Sequence, residues 1–190
     1  MHSNKGLAVS NLMASKIVLV LLLTGLGTAL FCSGENARAA DKTPAVARVD
    51  PCTLVTHTEA ERLIGETLQP GQLDTRMPHL SSCVWTGAKG SPKLILQHWP
   101  EVKGALESWL GAGDESKVLP LEGLSGEAIA AIQKGNPQYN IKPGLSLVAV
   151  RSKASVVSLS APFLEAAEGS EPYNQMISLA DTAARRLTEQ

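Results

Sequence analysis

Residues 50–65 read DPCTLVTHTEAERLIG, and they pack a cysteine, a hydrophobic pair, a helix start and a helix stop into one stretch. Thr56 and Glu59 have the T-x-x-E spacing of a capping box, in which each side chain meets the other's backbone N–H. Val55, just before the cap, and Ala60, four positions into the helix, have the spacing of a hydrophobic staple. Leu63 and Ile64 give an apolar face, and Gly65 can adopt the left-handed conformation that ends a helix. The spacing predicts a short helix over 57–64 with His57 exposed in its first turn.

What Cys52 is for depends on the residues in front of it. Lys5 and Lys16 supply a positive region, and Ile17 to Phe31 is an apolar run without a charge. That run is too short to cross a bilayer comfortably, and small residues follow it at Ala37, Ala39 and Ala40. Residues 1–40 are expected to be an export signal, 41–50 a flexible lead-in, and 51–190 one domain. A lipid anchor through Cys32 is the less favoured alternative, because a lipobox wants a small residue where Phe31 stands. With Cys32 removed, Cys52 and Cys83 remain, and an exported domain with two cysteines most simply carries one disulfide. Such a bridge closes a loop of about thirty residues and contributes about 3–4 kcal/mol on the chain-entropy model. A redox role is disfavoured, since no C-x-x-C occurs.

The whole chain carries a formal net charge of −1. Removing the leader takes away Lys5, Lys16, Arg38 and Glu35, leaving the remainder mildly acidic with no basic cluster. That balance argues against nucleic acid or anionic membrane as a partner, and no transmembrane segment is expected in the mature chain.

Beyond the first helix, Cys83-Val84-Trp85 reads as a strand closed by the turn 87–90. Lys93 to Trp99 is a second strand, with Leu94, Leu96 and His98 on one face and Ile95, Gln97 and Trp99 on the other. Pro100 is expected to open a helix with an apolar stripe of Val102, Leu106, Trp109 and Leu110, ended by Gly111. Short strands follow at 118–121 and 127–132, then a loop over 134–144. A hairpin pairs 145–150 with 155–160. Ser170 caps a closing helix whose Tyr173, Met176, Ile177, Ala180, Ala184 and Leu187 keep helical spacing. The segment 68–82 shows little periodicity. Hairpins and short connections imply an α+β fold: a single domain, mainly an antiparallel sheet, covered by about three helices and holding one disulfide.

Catalytic patterns are weak. His57, His79 and His98 lie at least about nineteen residues apart, which is not metal-site spacing, so no metal is expected. Gly123-Leu124-Ser125-Gly126-Glu127 is not a G-x-S-x-G elbow, and a turn explains its glycines. Glu165 with Glu168, and Asp114 with Glu115, sit in polar linkers rather than across a cleft. No nucleotide fingerprint or calcium loop occurs, and no cofactor is expected. What remains is binding. Trp85, Trp99 and Trp109 gather around one hairpin and the helix expected after it, so Trp85, His98, Trp99 and Trp109 are the candidate binding residues.

The stretch from Asp50 to Gly65, followed by Cys83-Val84-Trp85, resembles a bacterial secreted-protein family of unknown function. Its members begin the mature domain with D-P-C-[ST]-L-[LV]-T-x-x-E and continue to a C-x-W. Gly123-Leu124-Ser125-Gly126-Glu127-Ala128 is similar to that family's G-L-G-x-x-A turn, with Ser125 in place of the usual second glycine, and Leu147 to Arg151 resembles its following strand. The resemblance implies an exported α+β domain with a cysteine pair and no catalytic residue to carry over. The expected function is a periplasmic or secreted, non-enzymatic envelope domain that binds an envelope protein or a small ligand. The alternative is a hydrolase-type or inhibitor-type periplasmic protein with an unrecognised site.

Overall fold

A computed structural model describes residues 49–109 and 116–190 of the chain. The expected leader, Cys32 and most of the lead-in lie outside the described residues.

Helix α1 (His57–Ile64) starts and stops where its sequence predicts. Thr56 Oγ1 accepts the Glu59 N–H at 3.3 Å, and Glu59 Oε2 accepts the Thr56 N–H at 2.8 Å. Gly65 closes the helix at φ 75°, and Val55 and Ala60 are fully buried. His57 is exposed, its Nε2 3.2 Å from Glu61 Oε1 one turn along. Before α1, Pro51–Thr53 form one 3-10 turn capped by Asp50, whose side chain accepts the Cys52 N–H at 2.8 Å. Cys52 is bonded to Cys83 with a Cα–Cα separation of 5.0 Å.

Seven strands follow: β1 (Gln72–Asp74), β2 (Ser81–Thr86), β3 (Pro92–Trp99), β4 (Ser116–Leu121), β5 (Ala128–Gln133), β6 (Gly144–Ser152) and β7 (Ser155–Ser160). They form one sheet in the order β1-β2-β3-β7-β6-β5-β4, with every pair antiparallel. With α1, α2 (Leu106–Trp109) and α3 (Glu171–Thr188), the chain from Val49 onward is a single α+β domain with one disulfide.

The two faces of the sheet have different covers. Leu94 and Leu96, with Val148, Val150, Val157 and Leu159 of β6 and β7, point into the main core against α1 and α3. On α3 the facing residues include Met176, Ala180, Ala183 and Ala184, and the alanines let the helix sit close to the strands. Arg186 ties the end of α3 to α1, donating to Leu54 O at 2.9 Å and to both Glu59 carboxylate oxygens at 2.8 Å. That guanidinium, helped by Thr56, holds the Glu59 carboxyl down at about 2. On the opposite face, Val102 and Leu106 cover Ile129, Ala149 and Val156 in a smaller cluster, with Trp99 and Trp109 packed at its side.

Two expectations are corrected. The unpatterned segment 68–82 contains β1, a three-residue edge strand whose Gln72 and Leu73 are exposed, so no buried alternation marks it. The helix expected to open at Pro100 begins at Leu106 instead. Its backbone groups are claimed by the sheet: Val102 N–H donates to Ala154 O at 2.9 Å, and Ser155 Oγ donates to Pro100 O at 3.1 Å. Gly104, at φ 82°, then turns the chain. The expected end of this helix at 110–111 lies outside the described residues.

Candidate binding pocket

The strap of residues 100–106 crosses the second face of the sheet, and side chains of β6 and of the residue just before β5 pin it. Arg151 donates from Nη1 to Val102 O at 2.8 Å and from Nη2 to Gly104 O at 2.5 Å. Its Nε lies 2.7 Å from Glu127 Oε2, while Glu127 Oε1 accepts the Leu106 N–H at 3.4 Å. The clasp therefore fixes the entry of α2 and, with it, Trp109.

Trp109 meets Trp99 edge to face, with centroids 5.1 Å apart and planes at 84°, the arrangement that aromatic quadrupoles favour. His79 brings a third ring from the loop before β2, its centroid 6.0 Å from that of Trp99 and tilted by 36°. These rings line a cavity of about 350 Å³ together with Val102, Ser108, Glu101 and Lys103. Glu101 and Lys103 flank buried Val102 and point outward, Lys103 Nζ being 3.1 Å from Glu101 Oε1. Trp99 Nε1 is buried and has no acceptor among the described residues.

Of the four residues singled out from sequence, the structure brings Trp99 and Trp109 together and sends the other two elsewhere. Trp85 is 1% exposed in the main core. His98 shares the face of Leu94 and Leu96, paired in register with Ser81 and Val157 and 4% exposed. Burial pushes its imidazole below the usual histidine value. Neither lines the pocket. Conversely, the sequence marks His79 only as one of three widely spaced histidines in a segment of little periodicity, and no motif in it singles out Glu101, Lys103 or Ser108. The alternation of exposed Glu101, buried Val102 and exposed Lys103 was a usable signal, but a helical reading of that stretch hid it.

A larger cavity, about 690 Å³, lies between α1 and α3. Leu63 and Leu179 form its floor, with Arg62, Asn174, Ser178 and Thr182 on its walls. It holds no aromatic ring, and the Glu59 carboxylate beside it is already bonded to Arg186. The smaller pocket is the better candidate, because rigid aromatic surface and polar groups of both signs converge there. Among the described residues, no three His, Cys, Asp or Glu side chains converge as a metal-ligand set, and no helix is long and apolar enough to cross a membrane. No protein-family model, curated protein or solved structure matches the chain.

Proposed function

We propose that the protein is an exported, non-enzymatic domain of the cell envelope that binds an envelope protein or a small ligand through the Trp99–Trp109 pocket. The observation that carries this reading is the perpendicular tryptophan pair with His79 beside it, set around a cavity with a charged rim. Aromatic side chains of this kind are the usual energetic anchors of binding sites. The disulfide supports an oxidising compartment, and the leader-like N-terminus supports export.

The test is retention of envelope components on the immobilised, oxidised protein, compared with Trp109→Ala. The expected outcome is a reproducible partner that the wild-type chain holds and the variant loses. Retention of nothing, or equal retention by both proteins, counts against the reading.

A further inference from the structure

We propose that the ligand of the Trp99–Trp109 pocket is a neutral saccharide, with a sugar ring laid on an indole and its hydroxyls turned to the rim. This inference rests on the binding reading above and narrows it to one ligand chemistry.

Three properties of the pocket select that chemistry. First, two indoles meet at 84° in a cavity of about 350 Å³, at the small end of the roughly 300–1,000 Å³ typical of ligand sites. That is room for one or two sugar rings, and the C–H face of a pyranose is apolar enough to lie flat on an indole. Second, the rim offers acceptor and donor side by side, since Glu101, Lys103 and Ser108 are among its lining residues. Vicinal sugar hydroxyls, each donor and acceptor at once, match such an alternating rim. Third, the charges of that rim cancel, since Lys103 Nζ stands 3.1 Å from Glu101. A quaternary ammonium would favour an aromatic corner backed by net negative charge, which this pairing removes. An anion meets the same obstacle from the carboxylate. A purely apolar ligand would strip water from both charges without replacing their hydrogen bonds.

Indole fluorescence and amide chemical shifts of the oxidised full chain would be followed during titration with soluble tetrasaccharides of glucose and of N-acetylglucosamine. Tetramethylammonium serves as the cationic comparison, and pelleting with insoluble cell-wall glycan separates a polymer ligand from a free sugar. The expected result is saturable binding of at least one saccharide, with shifts at Trp99, Trp109 and Ser108. Affinity should fall about tenfold or more in Trp109→Ala and several-fold in the double variant Glu101→Gln, Lys103→Met. The rim substitutions lie on exposed side chains, so they keep the test meaningful if Trp109→Ala unfolds. Binding of tetramethylammonium but no sugar overturns the proposal, as does sugar binding indifferent to both variants. Absence of any saccharide binding up to about 10 mM also overturns it. In that last case a partner retained through Trp109 in the envelope experiment leaves the broader reading standing, whereas loss of both results removes the two together.

Discussion

At the scale of single residues, local chemistry was the most legible layer. In the cap and stop of α1, Thr56, Glu59 and Gly65 use backbone and side-chain partners no more than four positions away, so their spacing alone announces both. The tie from Glu59 to Arg186 is the part no local spacing states. His98 was harder. Period-two alternation placed it on the face of Leu94 and Leu96, but which face of the sheet α1 and α3 would cover depends on contacts far along the chain. The outcome is a histidine 4% exposed and held toward its neutral form. Its linkage has a definite sign. The unfolded chain takes up a proton near the ordinary value of about 6.5, whereas the folded chain resists until lower pH. His98 therefore detracts from stability progressively as pH falls below about 6.5 and does not do so above it. In urea unfolding at pH 7.5 and pH 5, His98→Gln should narrow the wild-type difference between the two conditions. An unchanged difference would show that His98 is not the group responsible.

At the scale of elements, strands and the two outer helices were readable because amphipathic patterning is a property of each segment by itself. The strap and β1 were not. Val102, Leu106 and Trp109 recur at helical spacing, but the chain from Pro100 to Ala105 uses its backbone groups to dock on Ala154, Ser155 and Arg151 instead. No local pattern states that Arg151, some fifty residues later, will supply those donors. This hidden partner governs the pocket. Arg151→Ala should leave the carbonyls of Val102 and Gly104 without their charged donor and destabilise the fold by about 1–3 kcal/mol. It should also loosen α2, which a red shift of indole emission under native conditions would report. Glu127→Gln retains an acceptor for the Leu106 N–H and should shift the emission less. Equal effects of the two substitutions would place the clasp's strength in the Arg151–Glu127 ion pair rather than in the guanidinium's bonds to the two carbonyls.

At the scale of the molecule, the α+β class and the cysteine pairing followed from counting elements and cysteines, whereas the strand order did not. The chain lays down β1–β3, jumps to the far edge for β4, and returns through β5 and β6 to set β7 beside β3. Either half could have paired edge to edge differently without changing any local pattern. The bridge between Cys52 and Cys83 fastens the entry turn to the first of these halves. Replacing both cysteines with alanine should lower stability by about 3–4 kcal/mol, measured as a lower midpoint in guanidinium. An equal midpoint in the oxidised wild type and the variant would remove the bridge from the stability account. The same bond also has a mechanical consequence. A pull on the chain from the N-terminal side of Val49 reaches Cys52 within a few residues and passes through sulfur into β2, a strand held between β1 and β3. While the bond is intact, α1 and the contacts of Arg186 lie off the line of tension. A reductant would reroute the same pull through the helix, so the oxidation state sets whether traction is borne by a sheet or by one two-turn helix.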